Sequence, residues 1–321
     1  MTTPIDVNAA RQRIRGIVRH TPLDPVPELG LGHGVFAKLE LMQPTGSFKV
    51  RGALARLTRL SEAERARGVL TVSAGNHGLA VAWGATRLGI KATVVVPRSA
   101  ALAKVERIRS FPVTLLSEGA GYDEAERWAR KRAQETGQIF VSPYNDSEVV
   151  AGQGTVGLEI AEDLPEVDVI IAPAGGGGLV AGLCVALSER SRRVEIIPVE
   201  PEASPTLSRA LEMGRIVQVE EETTLADGLA GNIEEGSITF PLIAAHTRRV
   251  ELVTEDEIRA ALRRGLDRLH LVLEGSAAVA LAGAEKLAPA LADKRVAIVL
   301  TGRNIGTDVL LASIAAERGS S

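Results

Sequence analysis

The feature that most restricts this chain is a repeated exchange between two hydrophobic periodicities. Short β-branched and aliphatic runs, "VFAKLE", "VLTVS", "ATVVVP", "VTLLS", "IFVS", "VDVIIAPA", "VEIIPVE" and "RVAIVLTG", read as strands buried on both faces. Between them lie Ala-, Arg- and Glu-rich segments with helical spacing, such as "GLAVAWGATRLG" and "GYDEAERWARKRAQETG". Parallel strands need a crossover and a helix supplies it, so the alternation predicts an α/β fold of mostly parallel sheets with helices on both faces. Ligands of such sheets bind outside the carboxyl ends of the strands. Three motifs fall there: "SAGNHG" after "VLTV", "AGGGG" after "VIIAP" and "TGRN" after "VAIVL".

At 321 residues the chain is long enough for two lobes. The runs from Val69 to Val141 are spaced as an α/β unit enclosed in sequence by the rest. A small lobe is therefore expected at 68–145, with a large one made of 1–67 and 146–321. A formal net charge of -3 leaves no electrostatic footprint for nucleic acid or an anionic membrane, so a small molecule is the expected partner. The apolar stretch 167–187 is interrupted by Asp168, Pro173 and four glycines, which predicts strand, loop and helix in place of a membrane span. The opening "MTTPIDVNAARQRIRGIVRH" lacks the apolar core of a signal peptide and reads as a helix with an Asp or Asn cap and a cytoplasmic address. The single cysteine, Cys184 in "LVAGLCVAL", is expected to be a buried structural thiol.

In "AGGGGLVAGL", Gly175, Gly176, Gly177 and Gly178 separate a buried strand from a helix start. Successive backbone N–H groups there converge on an anion and the helix dipole adds positive potential, so a phosphate cup is expected. It is not a P-loop, since no Gly-Lys-Ser or Gly-Lys-Thr follows. Two other readings stay open: a plain tight turn, and a dinucleotide site with Glu200 on the ribose. "SAGNHG" again exposes N–H groups and adds the side chains of Ser73, Asn76 and His77, a setting for a carboxylate. It equally reads as a helix capped by Ser73 or Asn76, with His77 in solvent.

Lys49 in "PTGSFKVRGA" stands among small residues beside Phe48. A lysine becomes nucleophilic when desolvation or a nearby cation makes its free amine accessible at neutral pH, and it can then capture an aldehyde. Taken alone, Lys49 also fits an ordinary surface lysine with Arg51 as a solvated companion. An amine for an aldehyde, a glycine cup for a phosphate and a second anion site for an amino-acid carboxylate together point to pyridoxal phosphate.

The motifs "HTPL", "KLELMQPTGSFKVRGA", "SAGNHG", "AGQGT", "AGGGGL", "VEPE", "ADGLAG", "EGSAA" and "LTGRN" span nearly the whole chain in order. With them the chain resembles the fold-type II pyridoxal-phosphate enzymes, tryptophan synthase β-like in fold, and specifically the serine/threonine dehydratases and serine racemases. That resemblance implies two open, twisted, mostly parallel sheets, a homodimer, and β-elimination of a hydroxy-amino acid such as L-threonine or L-serine to a 2-oxo acid and ammonia. It implies that Lys49 carries the cofactor, Phe48 flanks its ring, Asn76 bonds the ring hydroxyl and Thr301 faces the pyridine nitrogen. Gly175 to Gly178 with the Leu179 amide are implied as the phosphate site, and Gly228 and Glu274 as cofactor neighbours. Ser73, Ala74, Gly75 and His77 are implied for the substrate, with Tyr144 at the mouth.

Departures from the family pattern carry their own expectations. Ala74 stands where racemases have a second serine, which disfavours racemisation. Thr206 stands where relatives have an aspartate cation ligand, leaving Glu200 either as an oxygen ligand of Mg²⁺ or Ca²⁺ or in a structural ion pair. Tyr144 and Arg303 reshape the β-substituent pocket toward an acidic or an aromatic side chain, as in hydroxyaspartate or phenylserine. The stretch from Glu251 reads as a helix with a Thr254 cap and Glu257 at capping-box spacing, followed by a buried helix. The chain stops soon after "LTGRN", so no C-terminal regulatory domain is expected. Competing readings are a cysteine synthase-like β-replacement enzyme, a nucleotide-binding oxidoreductase and a non-catalytic ligand sensor.

Overall fold

The strands run in chain order β1 (Leu23–Pro25), β2 (Val35–Lys38), β3 (Val69–Val72), β4 (Ala92–Val96), β5 (Thr114–Ser117), β6 (Ile139–Phe140), β7 (Val169–Pro173), β8 (Glu195–Pro201), β9 (Glu251–Val253) and β10 (Val296–Val299). The computed structural model describes residues 4–189, 192–220 and 222–315. One sheet has the order β1-β2-β10-β7-β8-β9, with β1 antiparallel and every other pairing parallel. The other has the order β5-β4-β3-β6 and is parallel throughout. Its strands all fall within 68–145. The helices of the first half are α1 (Val7–Ile14), α2 (Lys49–Thr58), α3 (Glu62–Arg67), α4 (Asn76–Leu88), α5 (Leu102–Arg109), α6 (Tyr122–Thr136) and α7 (Ser147–Asp163). Those that follow are α8 (Gly178–Leu187), α9 (Thr206–Met213), α10 (Thr239–Ala244), α11 (Glu255–Leu269), α12 (Gly275–Lys286), α13 (Ala288–Leu291) and α14 (Thr307–Ala315).

The central strands are apolar without alternation because both of their faces are covered. In β10, Val296 and Ile298 pack with Ala277 and Leu281 of α12, while Ala297 and Val299 pack with Val180 and Leu183 of α8. The same division holds in β7, where Val169 and Ile171 face one cluster and Ile170 and Ala172 the other. In the smaller sheet Leu70, Val72 and Val95 pack with Ala125 and Ala129 of α6. Cys184 of α8 is fully buried in the cluster of Val180, Leu183 and Val299, and burial pushes its thiol up to about 12, which makes it inert. Asp6 caps α1, and Thr254 with Glu257 forms the capping box of α11. The apolar stretch 167–187 divides into β7, the glycine loop and α8, and among the described residues no helix is long and apolar enough to cross a membrane.

Two strands lie outside the apolar runs of the sequence. β1 and β9 are three-residue edge strands, too short to show a period. Arg51 needs a correction as well: it is fully buried. Its guanidinium grips Glu40 through Nε (2.8 Å) and Nη2 (2.7 Å), and Glu159 through Nη1 (2.6 Å) and Nη2 (2.7 Å). Lys38 reaches Glu159 Oε2 at 2.7 Å and donates to the Thr21 carbonyl, and Thr21 Oγ1 donates to Glu40. Two cations and two anions therefore balance in the interior and join β2, α2 and α7. Removing one partner strands its neighbours' charge, so Glu40→Ala should cost about 3–5 kcal/mol. By contrast Glu162→Ala, which breaks the exposed pair with Arg11, should cost no more than about 1 kcal/mol. Urea unfolding of the two variants checks both, and equal losses would contradict the contrast.

Candidate active site

A cleft of about 790 Å³ opens between the two sheets at the carboxyl ends of β3, β7 and β10. Lys49, the first residue of α2, lines it. The loop before Lys49 is fixed to the end of β10: the Phe48 N–H donates to the Thr301 carbonyl (3.0 Å), and Ser47 bridges Gly302. Lys49 Nζ makes one hydrogen bond, to the Pro143 carbonyl at 3.2 Å, and lies 5.2 Å from the centre of the Phe48 ring. Burial lowers its pKa from 10.5 to about 8, opposed by the charge of Glu274. About a tenth of the amine is then free at pH 7, far more than in an ordinary lysine, which sets aside the ordinary surface lysine.

The glycine loop forms the opposite wall. Gly177 has φ +82, in the left-handed region, and stands as the N-cap of α8 with no side-chain capping bond. The first-turn N–H groups, with Leu179 among them, therefore remain for an anion. A methyl group at Gly176 would overlap the Tyr144 ring, so a side chain there would displace the aromatic wall. Thr239 Oγ1 donates to the Gly176 carbonyl at 2.8 Å and holds the loop. Tyr144 itself is anchored where its hydroxyl accepts from the Glu234 N–H (3.1 Å), and burial raises that hydroxyl to about 12.

The turn after β3 brings Ser73, Ala74 and Gly75 to the same cleft. Ser73 Oγ accepts from the Gly75 N–H at 3.1 Å, and Gly75 is the N-cap of α4 without a side-chain bond, so neither Ser73 nor Asn76 caps the helix. His77 is buried and its Nε2–H donates to the Val141 carbonyl (3.1 Å). Burial, with Lys49 nearby, lowers its pKa to about 3, so the ring is neutral and the solvated reading does not hold. Asn76 Nδ2 donates to Glu274 Oε1 (2.7 Å), and Asn304 Nδ2 donates to Asn76 Oδ1 (2.6 Å). Glu274 is buried, which raises its pKa to about 7. Gly228 and Thr301 complete the wall.

The sequence profile described as "Pyridoxal-phosphate dependent enzyme" matches residues 14–302. The chain belongs to this family. Relatives include the L-threonine ammonia-lyase of Thermotoga maritima, 41% identical over 97% of this chain and 77% of that protein. The beta-hydroxyaspartate dehydratase of Paracoccus denitrificans is 36% identical over 95% of this chain and 97% of that one. The structure of maize serine racemase superposes with a TM-score of 0.91 at 30% identity, covering 99% of each chain. The fold is thus the fold-type II arrangement, and pyridoxal phosphate is the cofactor.

The residues present fit that group: a lysine of lowered pKa, an uncapped helix end behind four glycines, and the buried hydroxyl residue Thr301 at the end of β10 share one cleft. A divalent cation fits less well. Glu200 is buried outside the cleft lining and its carboxylate accepts from the Leu207 N–H (2.8 Å), the Ser208 N–H (2.9 Å) and Thr206 Oγ1 (3.2 Å). It caps α9, and these neutral donors replace the expected ion pair. Among the described residues no three acidic, His or Cys side chains gather as a metal site. Glu200 is also too occupied to read a ribose, which removes the support for the dinucleotide reading. Arg303 is exposed and outside the cleft lining; the adjacent Asn304, unremarked in the "TGRN" motif, faces the cleft instead.

Two measurements test this site. Capture of pyridoxal phosphate needs the neutral amine, so its rate in the apoprotein should rise with pH around a midpoint near 8 instead of 10.5. Glu274→Gln removes an anion that favours the ammonium and should move the midpoint down; an unchanged midpoint would contradict the pairing. Thr206→Asp supplies a second carboxylate beside Glu200. Mg²⁺ or Ca²⁺ should then raise the melting temperature of the variant alone, whereas a loss of parental stability in EDTA would count against the capping account.

Proposed function

We propose that the protein is an ammonia-lyase that converts a β-hydroxy-α-amino acid, such as L-serine or L-threonine, to a 2-oxo acid and ammonia. The observation that carries this reading is the amine of Lys49, lowered to about 8, in a cleft with two separate sets of backbone N–H groups for two anions. Bound pyridoxal phosphate supplies an electron sink at the substrate α-carbon. The glycine loop with the Leu179 amide holds the phosphate by N–H donation, and Lys49 Nζ anchors the aldehyde end. Phe48 would pack beside the ring, and Asn76 would donate to the ring hydroxyl.

The turn Ser73–His77 receives the α-carboxylate through backbone N–H groups, because its His77 ring is neutral and committed to Val141. Lys49 Nζ, once free, takes the α-proton and has that proton available for the departing β-hydroxyl. Thr301 would offer the pyridine nitrogen a hydroxyl, which cannot protonate it as fully as a carboxylic acid would. This favours departure of the β-group in step with loss of the α-proton. Ala74 lines the cleft without a hydroxyl, so no acid at that position can return a proton from the other face.

L-Serine and L-threonine should yield pyruvate and 2-oxobutanoate with equimolar ammonia. Lys49→Ala should lower turnover by about 10²–10⁴-fold or more and abolish the borohydride-sensitive visible band. Release of D-serine by the parent protein, or undiminished turnover by the variant, would defeat the assignment.

A further inference from the structure

The outer cleft carries four cationic side chains in addition to Lys49, and their partners differ. On α5, Lys104 is paired with Asp227 across the cleft. On α6, Arg130 is paired with Glu126 and Glu234 (2.7 and 2.9 Å). Arg127 lines the rim with no hydrogen-bond partner among the described residues, so nothing fixes its position. Arg107 is the exception: an exposed side chain, it is tied to an amide yet not neutralised. Its Nη1 donates to Asn304 Oδ1 at 2.8 Å, and among the described residues no carboxylate lies within ion-pair distance.

The partner of Arg107 is what makes it informative. Asn304 also donates to the Thr45 carbonyl (2.9 Å) and to Asn76 Oδ1 (2.6 Å). Arg107 therefore sits one amide side chain away from Asn76, which belongs to the turn proposed to receive the α-carboxylate. A guanidinium has five donors in a planar fork that matches a carboxylate, and here one is used by a neutral oxygen. The methyl of threonine would offer these donors nothing.

We propose that Arg107 binds a second carboxylate on the substrate side chain, so that the preferred substrate class is the β-hydroxy amino diacid, 3-hydroxyaspartate in its simplest form. This rests on the lyase reading above and narrows it. The chemistry balances: the Cα–H and Cβ–O bonds break as water leaves, the freed enamine becomes an imine, and water returns to release ammonia. The net products are oxaloacetate and ammonia.

The test compares kcat/KM for L-3-hydroxyaspartate and L-threonine in the holoenzyme, Arg107→Ala, Arg107→Lys and the rim control Arg127→Ala. The parent should prefer the diacid. Arg107→Ala should lower the diacid-to-threonine ratio about 10- to 100-fold, mainly through KM. Arg107→Lys should restore part of it, and Arg127→Ala should leave the ratio unchanged. Succinate should inhibit the parent more strongly than butyrate, and that difference should vanish in Arg107→Ala. Equal losses on both substrates, or a parent that turns over threonine and not the diacid, would overturn the role of Arg107 alone. Failure of both substrates to give a 2-oxo acid would overturn the lyase reading and this proposal with it.

Discussion

The active lysine owes its place to a guanidinium two residues further along α2. Arg51 is locked between Glu40 and Glu159 in the dry interior, and that grip fixes how far α2 rotates and where its first residue points. Taking four charges out of water costs several kcal/mol per ion, and the attraction among them offsets that only in well-matched geometry. The cluster is thus better understood as a positional device than as a source of stability. It joins β2, the turn at Glu40, α2 and α7, so a shift in any of them would be felt at Lys49.

Around that lysine the cleft sorts charge by depth. The inner groups, Lys49, Glu274 and His77, are all driven toward their neutral forms by burial. The outer groups, on α5 and α6 and the loops facing them, are mostly paired with one another. Polar contact inside is made by amides: Asn76, Asn304 and the N–H groups of the helix starts. Such groups keep donating whatever the pH, which suits a site where an amine must change its protonation state.

What the sequence revealed, and what it hid, follows from locality. β7 and β10 were legible because strands covered on both faces must be apolar throughout, and the glycine loop because four residues without side chains have few structural excuses. β1 and β9 carried no signal in three residues each. Arg51 looked like a surface charge because its partners lie 11 and 108 positions away. Glu200 was noticed for a pattern it only half fulfils, while its actual work, capping a helix six residues downstream, depends on a turn that periodicity does not describe. Asn304 lies within the "TGRN" motif beside a more conspicuous charged neighbour, and only the fold shows which of the two faces the cleft. Arg107 had no motif at all; only the packing of α5 across the cleft brings it near Asn76.

The route of the chain between the sheets has a consequence of its own. It leaves the larger sheet through α2 and returns through α7, and these helices touch closely enough that a methyl at Gly152 would collide with Gly52. Near the far ends of the contact, Arg56 Nε meets Asp146 Oδ2 at 2.9 Å. Departure and arrival thus share a single doorway, although 88 residues, 59–146, separate the two helices in the chain. The excursion between them is hinged at that doorway and buttoned down again across the cleft, where Lys104 meets Asp227 and Arg130 meets Glu234, so a different module grafted onto the same pair of helices would have to supply those contacts anew.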